Sequence, residues 1–327
     1  MGLRYSPNNK ILRRILYSLV LSCVIYAGPS FGQQPAPPQL DAAALNEFIS
    51  LASRRASEYT AKFTDITADE DQKIEEYDDK GKLKRQRQIV SKLIVYQSQL
   101  DPTVTAEYRY VHAVDGVPLA KREERMVKFY DRLAKSDSVK KELERINRES
   151  QRYDLVHSFY GLTVNQGLPL SEKARAAFRF TVAGREQING RDVIVLQYQQ
   201  IAQSPELTFK LGSLPSPLKG AEAFYRGRLW LDAETAQLWR EVREVTLQLS
   251  RLGYPLVIMR QEFEYVSSSF GILTPRRIVA ITNSNGRTLA GNVPELMLGG
   301  KITFEYSGFH RFEVSAPEAT VQPPAKP

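Results

Sequence analysis

Three histidines, His112, His157 and His310, are the residues most able to do chemistry, and no two are spaced as a pair of metal ligands. None lies in a His-Glu-x-x-His arrangement, which would set two imidazoles and a general base on one helix face. Surface or satisfied core histidines account for all three. Serine nucleophiles favour a Gly-x-Ser-x-Gly elbow, whereas Gly212-Ser213 and Ser307-Gly308 are turn fragments. Leu298-Gly299-Gly300-Lys301 lacks the rest of a phosphate loop and runs on into strand-forming residues instead of a helix. Among carboxylates, Asp69-Glu70-Asp71 and Glu75-Glu76-Tyr77-Asp78-Asp79 miss the alternate spacing and closing glutamate of a calcium loop, and they read as a hairpin tip with solvated acids. Glu123 and Glu124 splay apart on a helix. Glu262 and Glu264 share one face of a strand, opposite Phe263 and Tyr265, and make a polar outer face. These patterns give no catalytic residue, metal site or cofactor motif, so a non-enzymatic role is expected.

The elements that would position these residues begin with a leader. Arg4, Lys10, Arg13 and Arg14 precede an apolar run from Ile15 to Ala27, and Ser30-Phe31-Gly32 supplies small residues for cleavage. That is a secretory signal over 1–32 and predicts export to a periplasmic or other extracytoplasmic compartment. The alternatives are an uncleaved anchor, or a lipid anchor on Cys23, the single cysteine, because Val20-Leu21-Ser22-Cys23 faintly resembles a lipobox. Cleavage after Gly32 leaves no thiol and no disulfide. The net charge of +8 falls to a mild excess without the leader. That balance argues against a nucleic-acid groove and allows peripheral contact with an anionic membrane surface.

A Pro-rich tether (33–40) and a disordered tail (317–327) bracket a single α+β domain over 41–316, although two domains would satisfy the same element order. Asp41 can cap a helix to Ala61, with Leu45, Phe48, Ile49 and Ala52 on one face. Strands are expected over Phe63–Tyr77, Lys82–Tyr96 and Thr103–His112, with turns at Asp78–Gly81 and Asp115-Gly116. A charged helical insert near 121–160 follows. It carries one stripe through Met126, Phe129, Tyr130 and Leu133 and a second from Val139 to Tyr153 and Val156, opened by Ser136 or Asp137. From Ala176 the chain reads as a long antiparallel meander, with a hairpin at Asn189-Gly190 and a turn at Ser284–Arg287 before a strand from Lys301 to Ser315. The expected class is therefore α+β, with helices on one side of a large, curved, antiparallel sheet.

Apolar alternation with aromatics is the most informative pattern. Val257, Met259, Phe263 and Tyr265 share a strand face, as do Ile302, Phe304 and Tyr306, while Leu229 and Leu231 lie opposite Trp230. Such faces make an ordinary core, or a concave surface for an acyl chain or apolar peptide tail.

The run Gly227-Arg228-Leu229-Trp230-Leu231-Asp232-Ala233-Glu234-Thr235-Ala236-Gln237-Leu238-Trp239-Arg240 resembles a hairpin of the periplasmic lipoprotein-carrier superfamily. That group includes LolA-like and LolB-like carriers and RseB-like regulators; related exported proteins of soil bacteria share the hairpin and a charged insert. Ala236 stands where the family places glycine, and the helical insert is longer than a minimal carrier needs. The resemblance implies an unclosed β half-barrel with helices over its concave side. Leu45, Phe48 and Ile49 would pack into the concavity, and Trp230, Phe263, Tyr265 and Phe304 would line it. It implies a carrier-like binder of a lipid, lipoprotein or other hydrophobic ligand. The alternative is an envelope interaction or sensor module whose helical insert docks a protein partner.

Overall fold

The computed structural model describes residues 40–98, 100–101, 103–155, 161–207, 222–248, 255–289 and 293–311, all within a unit that begins at Leu40. The leader, Cys23, the tether, the tail, His157 and Gly212-Ser213 lie outside the described residues.

Helix α1 (Ala42–Lys62) starts where Asp41 accepts a hydrogen bond from the Ala44 amide at 2.8 Å. Its buried positions, Ile49, Ala52, Ser53, Ala56 and Tyr59, recur at helical spacing, and two alanines let the helix sit close to the sheet. Strands β1 (Ile66–Tyr77), β2 (Leu83–Gln97), β3 (Thr105–Val114) and β4 (Val117–Pro118) form a first meander. Helices α2 (Arg122–Ala134) and α3 (Val139–Ser150) follow. The second meander comprises β5 (Phe178–Ile188), β6 (Arg191–Gln200), β7 (Glu222–Asp232), β8 (Leu238–Gln248), β9 (Leu256–Ser267), β10 (Leu273–Leu289) and β11 (Val293–Arg311).

Among the described residues all the strands join one 11-stranded sheet in the order β4-β3-β2-β1-β11-β10-β9-β8-β7-β6-β5. Pairing of β1 with β11 fuses the two meanders, and every ladder is antiparallel. The edge strands β4 and β5 do not pair with each other, so the sheet curls without closing. Register shifts interrupt eight of the ladders, including Thr67/Asp69 and Trp230/Leu231, and such bulges bend and twist a sheet.

Hairpin turns follow local chemistry. Asn189 and Gly190 adopt φ of 51° and 77°, and Asp115 and Gly116 φ of 51° and 76°, which is the positive-φ pair that a two-residue hairpin demands. Gly227 answers a different need. A Cβ there would lie 1.9 Å from the Val242 carbonyl oxygen and 2.7 Å from the Tyr198 hydroxyl.

Register sorts the residues onto two faces. Glu241, Phe263, Ile278, Phe304, Gln72 and Ile89 form one row across the inner face, which α1 covers. The helical insert lies elsewhere. Phe129 and Leu133 of α2 and Ile146 of α3 form a separate core with Ala106 and Tyr108, whose side chains leave β3 on the outer face. The Tyr108 and Phe129 rings stack at 4.4 Å. At the end of α3 the Ser150 hydroxyl accepts from the Arg109 amide at 3.0 Å and reaches the Glu107 carbonyl at 3.3 Å, as a neighbouring strand would.

Four local expectations need correction, the first being Ser307-Gly308, which lies within β11 and not in a turn. Helix α3 opens at Ser138, whose side chain accepts from Lys141 N, and ends at Ser150 because that serine is engaged with β3; Tyr153 lies in a turn. Ser284–Arg287 is not a turn, since β10 runs through it to Leu289 and a register shift between Asn285 and Arg287 absorbs Gly286. Asp69-Glu70-Asp71 is mid-strand rather than a hairpin tip, and Glu70 is buried at 1% exposure.

Gly227→Ala should lower stability by about 3 kcal/mol, as overpacking against fixed backbone does. The urea midpoint of the variant measures it.

Candidate functional site: a covered aromatic hollow

The inner face is floored by Phe263 and Tyr265 of β9, ring centroids 6.5 Å apart, and by Phe304 and Tyr306 of β11, 6.2 Å apart. Phe263 and Phe304 have no exposed surface. Above them Tyr59 of α1 meets Tyr265 edge-on at 6.5 Å and stacks on Phe63 at 4.7 Å. Ile49 is buried in this core, and Leu45 and Phe48 pack against it partly buried. Trp230 does not join the floor. It pairs with Arg240, which pairs with Glu264, whereas Leu229 pairs with Glu241 and Glu241 with Phe263, so the indole lies on the outer face. The alternation of β7 carries that information, which aromatic type alone does not.

Two buried charge networks flank the floor, and neither was recognised from the sequence. On β3, Arg109 Nε donates to Glu70 Oε1 at 2.8 Å and Nη2 to Glu107 Oε2 at 3.1 Å, and all three side chains are almost wholly buried. On β8, Arg243 Nε donates to Glu241 Oε1 at 2.8 Å, and that carboxylate also accepts from the Tyr198 hydroxyl at 3.1 Å. Each guanidinium lies over a floor ring: Arg109 over Phe304 at 5.2 Å and Arg243 over Phe263 at 4.8 Å. The signal for Glu70 was available, because it shares strand parity with Ala68, Gln72 and Ile74.

The segment 161–170 lies between these networks. Gly161 N and Thr163 N donate to Glu107 at 2.9 and 2.5 Å, and Arg243 Nη2 donates to Asn165 O at 3.2 Å. The segment also carries α1: Ser53 Oγ donates to Leu170 O and Tyr59 Oη to Thr163 O, both at 2.6 Å. Arg55 Nε reaches Thr235 O in the β7–β8 turn at 3.2 Å. Thus α1 and 161–170 form one cover.

A cavity of about 20 Å³ remains between α1, the 166–170 stretch and the β7–β8 and β9–β10 turns. That is room for one water and not for an alkyl chain. The Tyr265 hydroxyl and Gln72 Oε1 are buried without a hydrogen-bond partner among the described residues.

Burial, more than any neighbouring charge, pushes the phenols of Tyr59, Tyr198 and Tyr265 well above their ordinary value. Burial opposes the Arg109 charge, but Glu70 and Glu107 more than offset it and hold its pKa above the usual guanidinium value. His112 is lowered by burial and by Arg122, whose Nη1 lies 3.2 Å from its Nδ1; His310 is exposed. Among the described residues no group of three or more His, Cys, Asp or Glu side chains could hold a metal ion.

Neither a protein-family model nor a curated protein matches the chain. Among solved structures it is similar to a LolA superfamily protein from Nitrosomonas europaea, at 9% identity and a TM-score of 0.31, covering 82% of this chain and 94% of that one. It is also similar to a DUF1329 family protein from Desulfovibrio piger, at 12% identity and a TM-score of 0.32, over 84% and 95% of the two chains. A third is a putative outer membrane lipoprotein-sorting protein domain from Vibrio parahaemolyticus, at 12% identity and a TM-score of 0.32, over 81% and 94%.

Arg109→Met leaves two carboxylates buried without their cation and should cost about 3–5 kcal/mol. Arg85→Gln, which removes a half-exposed partner of Glu76, should change stability by less than about 1 kcal/mol. Denaturant midpoints of the two variants make the comparison. The buried phenols set a pH dependence of defined sign. Their folded-state pKa values exceed the value of 10.0 they approach when unfolded, so their contribution is complete below that pH. It is lost as pH rises through the folded-state values. The midpoint should stay level on this account up to about pH 10 and fall beyond it.

Proposed function

We propose that this chain is a non-catalytic, exported binding protein that takes a lipid, or the acylated end of a lipoprotein, against the inner sheet face when its cover lifts. The observation that carries the reading is that the inner face is covered by one amphipathic helix and one short segment, both fastened to the sheet by side-chain hydrogen bonds and not by ladders: Arg55 to Thr235 O, Arg311 to Lys62 O, Arg243 to Asn165 O, and the Gly161 and Thr163 amides to Glu107. An apolar chain would replace the α1 side chains that pack into this core, Tyr59 against Tyr265 among them. Alkyl burial is worth about 25 cal/mol per Å², so a chain of about a dozen methylenes retains several kcal/mol after association costs. Uptake requires an open state, and apparent affinity scales with the population of that state. The unpartnered Tyr265 hydroxyl and Gln72 carbonyl oxygen would meet the polar end of the guest.

A second reading rests on the α2–α3 pair, which exposes Val127 at 57% and Tyr130 at 37% on otherwise charged helices. That surface would suit a protein partner in the envelope.

Arg55→Gln removes the hydrogen bond that ties α1 to Thr235 O in the β7–β8 turn, an interaction worth about 1 kcal/mol, and should raise affinity for a fluorescent fatty acid about five-fold. Native mass spectrometry of gently purified protein should show a retained lipid. No retained lipid together with no uptake by Arg55→Gln would reject the reading.

A further inference from the structure

The outer face carries a second concavity, of about 480 Å³, on β6 to β9. Its floor follows from register. Arg228 lies between Gln197 and Val242; Trp230 lies between Val195 and Arg240; Arg226 pairs with Glu244, which pairs with Arg260. Four guanidiniums therefore share a depression in which Glu244 is the one acidic lining residue.

That carboxylate is divided between two of them, accepting from Arg226 Nε at 2.8 Å and Arg260 Nη1 at 3.1 Å. Glu262, at the rim, accepts from Arg260 Nε at 2.9 Å and lies 3.7 Å from Arg240 Nη2. Arg240 also lies over the Trp230 ring at 4.8 Å, and the indole is fixed by its own donation to Glu186 at 2.8 Å. Exposed Arg228 has no carboxylate partner among the described residues. Once Glu244, Glu262 and Glu186 are counted against the four guanidiniums, one cation is left in excess, Arg228, while Arg226, Arg240 and Arg260 are held in place before any ligand arrives.

All four cations are arginines, whose planar fork matches the paired oxygens of a phosphate. They stand on three adjacent strands about 10 Å across, on the open side of the sheet. Arg226, Arg240 and Arg260 are each about two-fifths exposed. A small free anion would meet only one or two of them, with water competing throughout. An array of head groups can engage them together. We propose that the outer face of β7–β9 is a phosphate-binding patch that seats the protein on anionic lipid head groups. It needs no ligand in the hollow, so it stands or falls separately from the binding function.

The test is cosedimentation of protein recovered from an exporting host with vesicles of phosphatidylglycerol and phosphatidylcholine in equal parts. Vesicles of phosphatidylcholine alone are the control. Binding should require phosphatidylglycerol and weaken with salt. Arg228→Gln should weaken it about five-fold, and Arg226→Gln with Arg228→Gln by about thirty-fold, the effect of one and two cations beside a charged surface. Glu244→Gln, which releases Arg226 and Arg260, should tighten it. Thermal midpoints measured alongside separate these effects from unfolding. Equal binding to both vesicle types, no binding to either, or wild-type binding by the double variant overturns the proposal. So does displacement by glycerol phosphate or an acidic polypeptide at concentrations too low to screen charge, because the patch would then be a site for a soluble anion or a peptide.

Discussion

Charge taken out of water must be paired, and that constraint organises the inner half of this molecule. Arg109 and Arg243 sit deep on the covered face, each held by carboxylates and laid over an aromatic ring. Their remaining demand falls on backbone: Glu107 takes the amides of Gly161 and Thr163, and Arg243 takes the Asn165 carbonyl. An irregular segment with no strand of its own is thereby fixed across the sheet. Ionic networks of this kind add little net stability compared with a well-packed apolar core. Their effect here is positional. They decide where 161–170 lies, and that segment supplies the carbonyls to which α1 is tied.

The same networks shape how the cover could open. Lifting a purely apolar lid exposes hydrocarbon to water and gains nothing in return. Lifting this one also lets water reach Glu107, Arg243 and the hydroxyl of Tyr59, whose desolvation the closed state bears. Part of the lost contact is therefore offset by hydration. The cost of such an opening would fall on a single helix and a short segment with the ladders intact, which is the pattern of local instead of global unfolding.

Period was the most legible feature in the sequence. The two meanders, the Asn189-Gly190 hairpin, the Asp41 cap and the polar face bearing Glu262 and Glu264 all follow from rules that act over a few residues. What misled was residue type read without parity. Trp230 looks like a lining residue until the alternation of β7 sends it outward. Glu70 looks solvated until the alternation of β1 turns it inward, and its partner Arg109 lies two strands away, a distance that no local window spans. Gly286 looks like a turn, but the long pairing partner β11 carries β10 past it and the ladder absorbs the irregularity. These failures share a cause: tertiary pairing, not local propensity, decides the outcome where a charge or a glycine sits inside a strand.

The β7–β8 hairpin shows what one pair of strands can carry when both faces are used. Leu229 and Glu241 point into the hollow, while Trp230 and Arg240 point out toward the cationic depression. Gly227 lies at the junction. Its missing side chain lets the Val242 carbonyl oxygen close in and leaves the Tyr198 hydroxyl free to reach Glu241 beneath. The glycine is needed for close approach and not for positive φ, so it lies mid-strand and not in a turn. Because the backbone here is shared, a shift of β7 that re-spaced the outer arginines would also move Leu229 and the ground on which Tyr198 stands. The two faces are therefore mechanically joined at this hairpin.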